Sequence, residues 1–260
     1  MKIHKMRQNL QEKLTTCPIC GGEDIPAFFL ARVEGYQGHL SYANCQDCGQ
    51  LFLNPRLGDN QLKDYYQGDY RNRLLGPTGV TPQDETAQRL RASLQAQVAN
   101  AWGVIPYNVL DVGCGSGYLL WEWEKRGAKC TGVEPDTRCH QRTPASRYKI
   151  STDISELPAE KYDLICMSHS LEHINHPKEF LEELLDKHAK KDTQLLIEVP
   201  NSECCSAAFR ISHPMAFTRY TLEKLLGLVG FKLDCVFYHA LSNTKLHRYL
   251  LVLASKINSE

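Results

Sequence analysis

The stretch Val109-Leu-Asp-Val-Gly-Cys-Gly-Ser-Gly-Tyr118 restricts the fold more than any other part of the chain. An apolar run ends in an acid, Asp111, and glycines follow at 113, 115 and 117 before helix-forming residues resume. Glycine reaches backbone conformations that other residues avoid and carries no Cβ. A strand that ends this way can turn sharply and let a ligand lie against its backbone. A dinucleotide fingerprint would place its third glycine at 118, where Tyr118 stands, so the spacing is Asp-x-Gly-x-Gly-x-Gly. A second apolar run, Lys129–Val133, ends at Glu134, where a carboxylate can accept both hydroxyls of a ribose.

The rest of the region 106–260 repeats this alternation. Strands are expected at Asn108–Val112, Lys129–Val133, Tyr148–Thr152, Tyr162–Met167 and Leu195–Val199. Helices are expected at Tyr118–Lys125, at Pro177–His188 with Phe180, Leu181, Leu184 and Leu185 on one face, and at Thr221–Val229 with Thr221 as N-cap and Gly230 as stop. Phe231–Tyr238 and His247–Ala254 follow each other without a helix and read as a hairpin at an antiparallel edge. Strands alternating with helices give an α/β, doubly wound, mostly parallel sheet covered on both faces. Ahead of it lie a tail (1–14), a cysteine- and glycine-rich region (15–56) and a polar, tyrosine-bearing connecting segment with a helical pattern (57–105). Within that segment, Leu75–Pro82 is the most linker-like stretch.

Cys17-Pro-Ile-Cys20-Gly and Cys45-Gln-Asp-Cys48-Gly sit at the ends of the second region, separated by residues 21–44. One CxxC turn aims two thiolates at a common point, and two turns complete a tetrahedron around zinc on a short β-ribbon. A redox motif would occur once, beside a βαβ unit; iron–sulfur ligation is the other alternative. An all-thiolate set leaves no open position for water, so this zinc is expected to be structural.

Charge sets limits on partners. Lys+Arg and Asp+Glu both number 30, and this balance argues against a dedicated nucleic-acid binder. No apolar run approaches the ~18 residues that a membrane-spanning helix needs. The basic N-terminus, 1–13, has no apolar stretch behind it and does not read as a signal peptide. With eleven cysteines and no export signal, a reducing cytoplasmic location is expected, and the oligomeric state is not legible.

Asp111-Val-Gly-Cys-Gly-Ser-Gly117 resembles the first motif of class I S-adenosylmethionine-dependent methyltransferases. Asp163-Leu-Ile-Cys-Met-Ser-His-Ser-Leu-Glu-His173 is similar to their fourth strand and the turn after it, and Ile197-Glu-Val-Pro-Asn201 to the end of their fifth. His213-Pro-Met-Ala-Phe-Thr, then Thr221-Leu-Glu-Lys-Leu-Leu and Gly230-Phe231, resemble the late segment of the ubiquinone-biosynthesis branch. The two CxxCG pairs, Leu51-Phe-Leu-Asn-Pro55 and the tyrosines 65, 66 and 70 are similar to zinc-binding methyltransferases of sugar and natural-product pathways. Those sugar C-methyltransferases carry a further C-terminal domain, whereas this chain stops after the sheet.

The resemblance implies a Rossmann-like, seven-stranded sheet and S-adenosylmethionine as cofactor. Gly113, Gly115 and Gly117, with Cys114 between them, would pass under the methionine part. Asp111 would orient the loop or the ammonium, and Glu134 would hold the ribose. Asp153 would bond the adenine amino group, with Ile154 against the ring, and His169 would touch the amino-acid end, mainly through backbone. Asp153 also reads simply as a turn residue, and Glu134 as a turn cap. In some ubiquinone-type relatives the Glu-His region binds a divalent metal, which makes Glu172 and His173 a second candidate metal site.

A sulfonium methyl is already activated, so alignment and exclusion of water do most of the work, and a base is needed only for a protonated acceptor. His213 lies in the long segment after the fifth strand, on the side where acceptors bind in this fold, and is the leading candidate for base or substrate contact. His173 is the second catalytic candidate, although its place at a helix start also suits a structural role. His176, before Pro177, is expected to be exposed. Tyr66 and Tyr70 either cover the cofactor pocket or pack the zinc module onto the main domain, and Cys204 and Cys205 read as packing residues. The expected function is methylation, at oxygen or carbon, of a small or carrier-linked metabolite such as a sugar or natural-product intermediate. The alternatives are an RNA base methyltransferase, since some rRNA enzymes pair a zinc module with this fold, and a non-enzymatic binding module.

Overall fold

The computed structural model describes residues 10, 12–32, 39–67, 82–141, 144–240 and 248–257. Tyr70 and most of the linker-like stretch, 75–81, lie outside them. Strands β1 (Ala27–Arg32), β2 (His39–Asn44) and β3 (Leu51–Leu53) form an antiparallel meander, followed by helices α1 (Asp59–Gln67) and α2 (Pro82–Ala101). The alternating region comprises β4 (Asn108–Val112), α3 (Tyr118–Glu124), β5 (Lys129–Val133), β6 (Lys149–Ser151), β7 (Tyr162–Ser168), α4 (Pro177–His188) and β8 (Ala189–Pro200). A two-residue strand β9 (Met215–Ala216), helix α5 (Arg219–Leu228) and strands β10 (Phe231–His239) and β11 (Tyr249–Lys256) complete the described chain.

Seven strands pair in the order β10-β11-β8-β7-β4-β5-β6. From β8 to β6 every pairing is parallel. The antiparallel edge is the hairpin β10–β11, and it enters with its second strand inward, β11 lying antiparallel between β8 and β10. The chain runs β4, β5, β6 to one side and returns to β7 on the other. The carboxyl end of β4 is therefore the switch point where such sheets open a crevice.

Alternation along the strands assigns side chains to the two faces. Leu164 and Cys166 pack with Ala92, Ala96 and Ala99 of α2 and with Leu119 and Trp123 of α3. Ile165 and Met167 face the other way, onto Leu181, Leu184 and Leu185 of α4 and Leu222, Leu225 and Leu226 of α5. That second core continues without a break into Cys17, Ile19, Cys45, Cys48 and Phe52.

The meander is not closed within residues 15–56. β9 adds a fourth strand beside β3, with Leu51 opposite Ala216 and Phe52 opposite Met215. Buried Gln50 donates from Nε2 to the Ala216 carbonyl at 3.0 Å. Arg56, fully buried, donates to the Asn175 carbonyl at 2.5 Å, to His176 Nε2 at 2.9 Å and to Glu12 at 2.8 Å. His176 is therefore half-buried and engaged, not exposed as its place before Pro177 suggests; a buried guanidinium requires acceptors, and this ring is one.

Two element limits also differ from expectation. α5 begins at Arg219, with Thr218 as N-cap and Thr221 at the third helical position. Thr218 Oγ1 accepts from the Thr221 N–H at 3.1 Å, and Thr221 Oγ1 accepts from the Thr218 N–H at 3.0 Å. Two cap-forming threonines three residues apart make the sequence signal ambiguous by one turn. β8 begins at Ala189 rather than Leu195, because exposed Lys190, Lys191 and Asp192 extend it through a register shift that carries no apolar signature.

Candidate functional site

At the end of β4, buried Val109 and Leu110 fix the strand and Asp111 follows them inward, 2% exposed. Gly113 and Gly117 adopt φ values of 80° and 76°. A Cβ at Gly113 would stand 2.7 Å from Cβ of Ser170, and one at Gly117 would stand 2.8 Å from Cα of Ala145. Neither position tolerates a side chain, and the glycine pattern is thereby explained by close approach as well as by φ. The loop is tied to β5 by the Gly113 and Cys114 N–H groups, which donate to the Val133 carbonyl at 2.8 and 3.0 Å.

Glu134 is 6% exposed, and each of its carboxylate oxygens accepts a backbone N–H, Gly115 at 2.9 Å and Asp136 at 2.9 Å. It thus locks the glycine loop while lining a cavity of about 550 Å³ with Asp153, Ile154, Tyr66 and Phe180. A carboxylate oxygen has a second lone pair, so ribose hydroxyls can still be accepted there. Asp153 caps the turn that follows β6 by accepting from the Ser155 N–H at 2.9 Å, a bond that also lowers its pKa. Its two readings, turn residue and cavity residue, coexist.

A second cavity of about 500 Å³ is lined by Asp111, Gly113, Cys114 and Gly115 together with Arg91, Glu172, Arg210 and His213. Gly113, His169 and His173 line both cavities, which therefore meet over the end of β4. Gly117 lines neither; its contact with Ala145 seats the start of α3 instead.

The cleft holds an unusual set of charges. Burial, joined by the nearby charge of Glu134, lifts the Asp111 carboxyl to about 7, and its Oδ1 is buried without a hydrogen-bond partner. An orphaned acid oxygen beneath a glycine cradle suits a cationic group in the cleft, as an S-adenosylmethionine ammonium would be. His169 takes φ 54°, a rare value for a residue with a side chain. Its backbone N–H donates to the Glu198 carbonyl at 2.8 Å. Its ring bridges Glu172 (3.2 Å) and Glu198 (3.0 Å), so the side chain is held as firmly as the backbone. Burial and Arg91 push the His169 pKa down, but the two carboxylates outweigh them and leave it raised. Glu198 also holds His239 Nε2 at 2.9 Å and lies 3.1 Å from Arg91 Nε.

His173 Nδ1 lies 2.9 Å from the Ser212 carbonyl and in contact with the Tyr66 hydroxyl, which donates to the same carbonyl at 2.9 Å. The His213 ring stands edge-on to His173 with centroids 4.5 Å apart. His213 is 3% exposed, its Nδ1 has no hydrogen-bond partner, and burial followed by the charge of His173 pulls its pKa well below the usual histidine value. It is a neutral imidazole at pH 7. Burial alone would raise Glu172, but His173 and His169 outweigh it and hold the carboxyl at about 2. Glu172, His173 and His213 each offer a ligand atom within 4.8 Å of the others, a geometry open to a cation.

Cys17, Cys20, Cys45 and Cys48 likewise converge within 4.8 Å. Their closest sulfur pairs are 3.6 Å (Cys17–Cys48) and 3.5 Å (Cys20–Cys45) apart, far too long for disulfides. A tetrahedron with Zn–S bonds near 2.3 Å has sulfur–sulfur edges of about 3.8 Å, so the four thiols fit the metal.

Sequence reasoning missed Arg91, Glu198 and Arg210. Glu198, an acid inside an apolar strand, carried a signal; Arg91 and Arg210 carried none, being ordinary residues of a helix and a loop. Cys204 is half-buried and accepts from Asn201 Nδ2 at 3.4 Å, while Cys205 is buried.

A family model for a methyltransferase domain matches residues 62–237. The 1,6-didemethyltoxoflavin-N1-methyltransferase of Burkholderia thailandensis superposes with a TM-score of 0.59 at 20% identity, covering 82% of this chain and 98% of its own. Magnesium protoporphyrin IX methyltransferase from Synechocystis PCC 6803 gives 0.57 at 17% identity, covering 76% of this chain and all of its own. At such identities the likeness is one of fold. A tRNA U34 carboxymethyltransferase of Aeromonas hydrophila is 35% identical over 101 residues, so this chain spans 31% of that relative's length, with 35% of its own. No helix among the described residues is long and apolar enough to cross a membrane. With its glycine loop, second-strand acid, sheet order and family match, the chain belongs to the class I S-adenosylmethionine-dependent methyltransferases.

Proposed function

We propose that the protein methylates a small or carrier-linked metabolite at oxygen or carbon, with His213 as the proton acceptor. The observation that carries this reading is the 500 Å³ cavity, a space suited to a small molecule that the glycine loop and the buried His213 line together. S-adenosylmethionine would supply an activated methyl group on sulfonium. Asp111 and the 113–115 backbone would hold its amino-acid end, Glu134 the ribose, and Asp153 with Ile154 the adenine. Tyr66, fixed on the Ser212 carbonyl, would close the cleft between the two cavities and exclude water. His173, bonded to that same carbonyl, would position His213 rather than take the proton itself. Zinc on the four cysteines would be structural, since four thiolates leave no position for water.

The RNA reading has one observation in its favour, the 101-residue match to a tRNA-modifying enzyme. The even charge balance favours the small acceptor. Incubation with methyl-labelled S-adenosylmethionine and separate pools of tRNA and low-molecular-weight metabolites decides between them. Label in the metabolite pool is expected; label confined to tRNA overturns the reading.

A further inference from the structure

We propose that Arg210 anchors an anionic group, carboxylate or phosphoryl, on the methyl acceptor, an inference that rests on the small-acceptor reading. The charges around the cavity show why. Two ionised carboxylates stand in or behind its wall, Glu172 and Glu198. His169 bridges both of them, and Arg91 lies 3.1 Å from Glu198 with its guanidinium 4.8 Å above the Tyr249 ring. Glu172 and Glu198 thus both have partners within the protein, and Asp111 lies beneath the glycine loop. Arg210 is left over: it lines the same cavity, half-buried, with no ion pair to a carboxylate among the described residues.

The backbone holds this residue in place. The Arg210 carbonyl accepts the His213 N–H at 3.0 Å and the Tyr42 hydroxyl at 3.2 Å, so one tight turn, pinned by the N-terminal sheet, presents Arg210 and His213 together. An acceptor gripped there would carry its anionic group within a few bonds of the atom that loses a proton to His213. A bound cofactor with a sulfonium and an ammonium against one carboxylate would add a further positive charge, and an anionic acceptor balances it. A guanidinium suits this task because it presents paired donors to carboxylate or phosphoryl oxygens. The residues assigned to the methyl donor lie at the ends of β4, β5 and β6, whereas Arg210 belongs to the loop after β8, so the anchor would discriminate between acceptors.

The test uses the full-length protein saturated with S-adenosylhomocysteine. Inorganic phosphate and acetate are titrated separately by calorimetry, which tells a phosphoryl preference from a carboxylate preference. Arg210→Ala should weaken the preferred anion by on the order of tenfold or more, Arg210→Lys should recover part of the loss, and S-adenosylhomocysteine affinity should not change in either variant. Unchanged anion affinity in Arg210→Ala overturns the proposal. So does a tenfold loss of S-adenosylhomocysteine affinity, which would assign Arg210 to the cofactor's own carboxylate. Label appearing only in tRNA would defeat the small-acceptor reading by itself, whereas the anion titration answers separately whether Arg210 is an anion site.

Discussion

Replacing Asp111 with asparagine separates stability from cofactor binding and exposes the reasoning to a direct check. Burial and the Glu134 charge raise this carboxyl from its ordinary value to about 7. Its folded-state pKa therefore lies above the unfolded one. The folded protein holds an extra proton between about pH 4 and pH 7, and the stability contributed by the neutral acid is lost as pH rises through about 7. Between pH 5 and pH 7 this amounts to two units, or about 3 kcal/mol at 1.36 kcal/mol per unit. Asparagine keeps the shape without the charge. The stability advantage of Asp111→Asn over the parent should therefore grow by about 3 kcal/mol from pH 5 to pH 8, as measured by urea unfolding of the ligand-free protein.

Binding should move the other way. A cationic ammonium prefers the ionised acid, so S-adenosylhomocysteine affinity of the parent should rise about tenfold from pH 6 to pH 8, with no such rise in the variant. Taking the difference between parent and variant removes the contribution of histidines that titrate in the same range. If the two proteins keep a constant stability difference across this range and share one binding profile, Asp111 is not a buried, strained acid at the cofactor site, and the argument fails.

Three further outcomes are expected. Glu134→Ala removes the acceptor of the Gly115 and Asp136 N–H groups and of the ribose, and should cost at least about tenfold in S-adenosylhomocysteine affinity by calorimetry; unchanged affinity would contradict that assignment. Elemental analysis should find about one zinc per chain, lost in Cys45→Ser together with the fold of the N-terminal sheet, since such sites contribute on the order of 10 kcal/mol; a metal-free protein of equal stability and activity would dismiss the metal. His213→Ala should lower turnover about 10²- to 10⁴-fold while cofactor affinity holds, and a loss under about threefold would make His213 a packing residue.

Parts of this protein are written locally in the sequence. The Asp111–Gly117 loop, the acid ending β5 and each CxxC turn are recognisable from residues a few positions apart, although the contacts that use them, Gly113 with Ser170 and Glu134 with Gly115, are long-range. Backbone conformation and ligand spacing are short-range properties, and they were legible before any fold was known. The strands from β4 to β7 were legible for a related reason, as apolar runs bounded by glycine, proline and polar residues declare themselves within a few positions.

Tertiary structure alone settled what depends on residues far apart in the chain. The closure of the N-terminal sheet by Met215 and Ala216, the burial of Arg56 against Asn175 and His176, and the joining of one core across both regions have no local signature. The charge network is of the same kind. Arg91, His169, Glu172, Glu198, Arg210 and His239 come from a helix, two strand ends, two loops and an edge strand. Whether each acts as an ion, a neutral base or an unpaired cation is decided by burial and by its neighbours, and burial is a property of the packed molecule that no stretch of sequence carries by itself.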